Sequence, residues 1–257
     1  LSLIWWGVIG STLAGGMTAV GALPVLLGKT VSPRLKDVLL AFAAGVMLAA
    51  SFFSLIIPGL ERGADLFGGK FAAAAIASAG IAIGVAFVAV LDVIVPHQHF
   101  AQGRQGPLDA EIAKIWLFTL AITIHNIPEG LAVGVGYGGG DIAAGTTLAI
   151  GIGLQNAPEG LAVALALWSI GYSKTFAVLI ASLTGAVEPV AGMIGAYAVS
   201  ISQVVLPWAL TFAAGAMLYV ISHEIIPETH KGGHEKAATF GLTVGLIAMM
   251  VLDVVFG

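Results

Sequence analysis

Ile124-His125-Asn126-Ile127-Pro128-Glu129-Gly130-Leu131-Ala132-Val133 returns thirty residues later as Leu154-Gln155-Asn156-Ala157-Pro158-Glu159-Gly160-Leu161-Ala162-Val163. Each copy sets an amide, a proline and a carboxylate inside an apolar run. On a helix, His125 and Glu129 are four apart and share a face, and Asn126 and Glu129, three apart, are also neighbours. Gln155, Asn156 and Glu159 repeat that arrangement. Pro128 and Pro158 have no N–H to donate, which frees the carbonyls of Ile124 and Leu154 and predicts a kink in each helix. Two faces of oxygen and imidazole groups beside opened backbone are ligand chemistry for a cation.

The elements that must carry these groups are set by composition. Hydrophobic residues make up 58% of the 257-residue chain and charged residues 9%, against about a quarter charged in a soluble domain. Mean hydropathy is +1.02. Such a chain cannot clothe a globule in charge and reads as an all-α polytopic membrane protein, one transmembrane domain over its length. Apolar runs predict eight spans, at about 2–28, 34–57, 71–96, 113–137, 143–169, 174–199, 203–227 and 236–256. The first run is too long for a signal-peptide core, and the opening leucine predicts that the numbering starts inside a longer natural chain. With no cysteine, disulfides and thiolate metal sites are excluded. No basic tract suggests nucleic acid.

Loop charge predicts orientation. Lys29, Arg34, Lys36, Arg104, Lys114, Lys174, Lys231 and Lys236 follow spans 1, 3, 5 and 7, while only Arg62 and Lys70 lie on the other side. The positive-inside rule then places the first set in the cytoplasm and both chain ends outside. Internal similarity adds a pattern. Phe42-Ala43-Ala44-Gly45-Val46-Met47-Leu48 in span 2 matches Phe212-Ala213-Ala214-Gly215-Ala216-Met217-Leu218 in span 7, and Val90-Leu91-Asp92-Val93 in span 3 matches Val251-Leu252-Asp253-Val254 in span 8. Matches five spans apart run in opposite directions. The expected architecture is therefore a 3+2+3 inverted repeat around spans 4 and 5, an arrangement typical of secondary transporters.

Met47, His125, Asn156 and Glu188 fall near the middle of their spans. Ionised, Glu129, Glu159 and Glu188 would together cost on the order of 10 kcal/mol at that depth. No lysine or arginine lies near the midplane to offset this, which leaves a bound cation, water or protonation. Three carboxylates, one imidazole and two or three amide oxygens fit one or two divalent ions, and imidazole with carboxylate suits zinc, iron, manganese or cadmium. Met47 would add a thioether that favours zinc or cadmium, or it packs the core as its twin Met217 is expected to do. Gln155 is either a ligand or a helix–helix hydrogen-bonding group. A second polar group, His223 and Glu224 at the end of span 7, is expected to form an exit site towards the cytoplasm. Asp92 ends span 3 beside it. His97, His99, His230 and His234 in the adjoining loops read as solvated side chains, and Asp253 as either an entrance group or a headgroup contact.

His-Asn-x-Pro-Glu-Gly followed by Gln-Asn-x-Pro-Glu-Gly resembles the ZIP (Zrt/Irt-like) family of divalent metal transporters, in its bacterial branch. The resemblance covers all eight spans. It implies uptake of zinc, with Cd2+, Fe2+ or Mn2+ as further cargo, and a homodimer in the bacterial inner membrane. It also implies a binuclear site between spans 4 and 5: Met47, His125, Glu129, Gln155 and Glu159 around one ion, and Asn126, Glu129, Asn156, Glu159 and Glu188 around the other. Two features depart from the family pattern. Gln155 stands where many relatives have histidine, and the loop between spans 3 and 4 keeps only His97-x-His99 of a longer histidine-rich segment. The mechanism implied is alternating access, with spans 1, 4, 5 and 6 moving against 2, 3, 7 and 8. A passive cation channel could use the same ligands. An intramembrane metalloenzyme is disfavoured because His-Glu-x-x-His is absent and Glu-x-x-His pairs do not occur near the midplane. The chain is therefore read as a transporter and not an enzyme.

Overall fold

A computed structural model describes residues 2–28, 30–94 and 108–256, with side chains omitted at 92–94, 108–111 and 113–114. Lys29, His97, His99 and Arg104, and the side chains of Asp92 and Lys114, lie outside the described residues. Eight helical stretches are long and apolar enough to cross a membrane, and among the described residues there is no strand. The chain is an integral membrane protein with an all-α fold.

The spans run Leu3–Leu27, Pro33–Phe67, Lys70–Leu91, Ile115–Gly138, Ile142–Ser169, Lys174–Ile201, Val205–His230 and Glu235–Phe256, numbered 1 to 8. The largest departure from the sequence reading is in span 2, which continues to Phe67 where it was expected to end near residue 57. Hydropathy falls there because Glu61, Arg62 and Asp65 face outward, but Gly59 and Gly63 are buried and keep the helix packed on spans 3 and 7. Gly68 and Gly69, at φ 77° and 122°, end it with a left-handed turn that a side chain would strain.

Two local irregularities recur at matching places. Span 2 opens into a π-helical turn at Ser51–Ile56 and span 7 at Ile221–Ile225, each followed by a proline, Pro58 or Pro227, in the first turn of the resumed helix. Each such turn inserts a residue and rotates the following side chains relative to the preceding ones. Spans 4 and 5, by contrast, remain helical through Pro128 and Pro158. The span that does break is the sixth, as Lys174–Gly185 and Glu188–Ile201. Proline removes one helical hydrogen bond, and close packing on both sides keeps the two motif helices running through that loss.

Span 2 packs along span 8 and span 3 along span 7; span 1 lies along span 5, and span 4 along the second half of span 6. Alanine is the commonest residue of the buried core, and at Gly45, Gly84, Gly134 and Gly160 a Cβ would meet the backbone of the neighbouring span, as expected where backbone approach, not hydrophobic expulsion, drives helix association.

Candidate metal centre

The two motif copies lie on adjacent helices, and the break in span 6 brings a third carboxylate to them. Glu188 heads the resumed helix, followed by Pro189 in its first turn, where the missing N–H does least harm. Gly130, next to Glu129, lets span 4 reach this point: a Cβ there would sit 2.7 Å from Glu188 Cα.

His125, Asn126, Glu129, Gln155, Asn156, Glu159 and Glu188 are all buried, Glu129 and Glu188 completely. Gln155 Nε2 donates to Glu129 Oε1 at 2.5 Å. Asn156 Nδ2 donates to Glu188 Oε1 at 2.7 Å and to the Ala14 carbonyl of span 1 at 2.9 Å. Asn126 Nδ2 donates to the Thr184 carbonyl at 2.8 Å. Glu129 lies within electrostatic range of Glu159 and Glu188, and Glu159 within range of His125 and Glu224.

What remains after these bonds is mostly oxygen acceptors. Asn126 Oδ1, Glu129 Oε2, Gln155 Oε1, Asn156 Oδ1, both Glu159 carboxyl oxygens and Glu188 Oε2 are buried without a hydrogen-bond partner. Buried polar atoms are nearly always paired, and an unpaired one costs about 1–3 kcal/mol. All of these are acceptors. Buried amide and carboxylate oxygens with open lone pairs are the ligand type that a divalent cation takes. In this arrangement no three His, Asp or Glu side chains among the described residues are gathered closely enough to hold a metal ion.

Glu224, expected beside His223 in an exit group, also reaches the motif of span 4. Its Oε1 lies 2.8 Å from His125 Nε2, so the π turn of span 7 connects directly to the first residue of the span 4 motif. His223, beside it in sequence, is exposed and lies against Tyr219, ring centroids 5.0 Å apart. Met47 and Met217 are both buried in one apolar cluster with Val133 and Ile152. His230 Nδ1 is 2.9 Å from the Ile226 carbonyl, and His234 Nδ1 is 2.8 Å from Asp37 Oδ2; both differ from free solvated side chains. Asp253 accepts a hydrogen bond from Ser54 in the span 2 π turn and lines a cavity of about 320 Å³ with Glu61, Asp65 and Asp141. The sequence reading did not single out the Ala14 and Thr184 carbonyls, Ser54 or Asp37. Glu188-Pro189 inside an apolar run was an available signal for the break, whereas the carbonyl partners had none.

Comparison with known proteins follows this geometry. Residues 97–253 match the family model described as ZIP zinc transporter. The chain is 45% identical to zinc transporter GufA of Myxococcus xanthus, covering 98% of this chain and 99% of that one. It is 44% identical to zinc transporter ZIPB of Bordetella bronchiseptica, over 99% of this chain and 82% of that one. It is 36% identical to human zinc transporter ZIP11, over 100% and 98%.

Proposed function

The chain belongs to the ZIP zinc transporter family, a family of metal-ion transporters and not of enzymes, and we propose that it carries zinc into the cytoplasm through a binuclear site between spans 4 and 5. The observation that carries this reading is the set of buried, unpartnered oxygen atoms on Asn126, Glu129, Gln155, Asn156, Glu159 and Glu188. One ion takes Met47, His125, Glu129, Gln155 and Glu159; the other takes Asn126, Glu129, Asn156, Glu159 and Glu188, with Glu129 and Glu159 bridging. Names of the relatives support zinc as the cargo, and the oxygen-rich donor set leaves room for cadmium, iron or manganese.

Transport proceeds by alternating access. Metal enters on the side of Asp253, exchanges water for the central ligands as Gln155 and Asn156 release the carboxylates, and leaves past Glu224 and His223. Packing supports an inverted repeat: the contacts of span 2 with 8 and of span 1 with 5 have counterparts in 7 with 3 and 6 with 4, as expected if spans 1–3 repeat as 6–8. Loop charges put both chain ends outside the inner membrane, and family resemblance supports a homodimer. The test is zinc uptake into proteoliposomes. Saturable uptake abolished by His125→Ala with Glu129→Ala supports the reading; uptake unchanged in that double variant removes it.

A further inference from the structure

Thr18 differs from most of the buried hydroxyl side chains. Ser11, Ser51, Thr119, Thr184, Thr211 and Thr229 each donate to a carbonyl three or four residues earlier in their own helices. Thr18, in the interior of span 1 and 1% exposed, does not, and its Oγ1 has no hydrogen-bond partner. Its surroundings explain where it points. An ideal Cβ on Gly185, at the end of the first half of span 6, would lie 2.8 Å from that oxygen. The Gly185 carbonyl faces span 1 at Gly15, where any Cβ would collide with it. Gly15 and Thr18 are three apart, hence neighbours on one helix face. The same Gly15 position lies 3.2 Å from the Glu188 carboxyl.

Gly185 also has an unusual backbone position. Its helical donor would be the N–H four residues on, which is Pro189 and does not exist. A buried hydroxyl without an acceptor therefore lies against Gly185, whose carbonyl is deprived of its helical donor, at the break that aims Glu188. We propose that Thr18 is a positioning residue for the metal site, its hydroxyl serving the Gly185 carbonyl and so fixing the break from which Glu188 projects. The bond is not made in this structure. It forms by rotation of the Thr18 side chain as Glu188 turns onto a cation, so the donor is held in reserve for the loaded state. This rests on the assignment of Glu188 as a ligand.

The test uses the full chain in proteoliposomes, with zinc uptake and zinc-dependent melting measured for Thr18→Val, Thr18→Ser and Glu188→Ala. Loss of one hydrogen bond formed only in the loaded state predicts a rise of about fivefold in KM for Thr18→Val. Maximal rate should stay near wild type, and Thr18→Ser should restore KM. Metal-free Tm should be unchanged or higher in Thr18→Val, which deletes an unsatisfied hydroxyl, while the rise in Tm on adding zinc should shrink. Thr18→Ala gives the same reading if the valine variant does not fold. A wild-type KM and zinc response in the hydroxyl-free variants overturns the proposal, as does a serine variant no better than valine. Should Glu188→Ala also leave zinc KM unchanged, the ligand assignment itself has failed; impairment by Glu188→Ala alone removes only the role of Thr18.

Discussion

The two motif copies have nearly the same residues and different neighbours. In span 4, His125 contacts Glu224 of span 7, and the Asn126 amide is held by the Thr184 carbonyl of span 6. In span 5, Gln155 reaches Glu129 in the other copy, and the Asn156 amide is held by Ala14 of span 1 and by Glu188. Glu129 is thus tied by an amide, whereas both oxygens of Glu159 lack a hydrogen-bond partner. The first copy is linked to the helix whose π turn faces the proposed exit; the second holds the free acceptor. Similar sequences take these separate tasks because the helices beside them differ.

The strongest way to break this contrast is to remove each carboxylate. Glu129→Ala and Glu159→Ala should each lower zinc uptake by at least about 100-fold, since both bridge in the proposed site. Metal-free stability should separate them: Glu129→Ala orphans the buried Gln155 amide and adds about 1–3 kcal/mol of destabilisation that Glu159→Ala escapes. Denaturant melts of the two variants check this, and equal losses would erase the distinction. Next in size, Glu224→Gln should slow uptake about tenfold by weakening the hold on His125, with the metal content of the purified protein unchanged. Gln155→His makes the copies alike at their first position, and titration should find zinc bound about tenfold more tightly, with less gain for manganese. The smallest effect belongs outside the pair. Asp37→Asn, which loses the partly exposed His234 contact, should alter stability by no more than about 1 kcal/mol and leave uptake at the wild-type rate.

The spans and the cluster of buried polar groups on spans 4 and 5 were legible because both depend on local sequence. Twenty apolar residues announce a crossing, and a carboxylate four residues from a histidine announces a shared face. Hydropathy could not find the end of span 2, since Glu61, Arg62 and Asp65 interrupt Ile57–Phe67 and the burial of Gly59 and Gly63 holds it. Counting residues also could not show that span 6, not 4 or 5, gives way at its proline; neighbouring packing decides that. The contact of Glu224 with His125 joins residues 99 apart in sequence and depends on a π turn that rotates the end of span 7. Separated by span boundaries, these residues looked like two groups. The carbonyls of Ala14 and Thr184 were invisible for a simpler reason: every residue has one, and only the fold says which are turned towards an asparagine.

The most direct test of the central claim is elemental analysis of metal per chain in zinc-loaded protein. Wild type should hold about two zinc ions, as a carboxylate-bridged pair implies. Glu188→Ala should hold one fewer, and Glu129→Ala with Glu159→Ala should hold none at this site. Wild-type zinc content in that last, folded double variant would contradict the account, because the unpartnered oxygens of spans 4 and 5 would then not be what binds the metal.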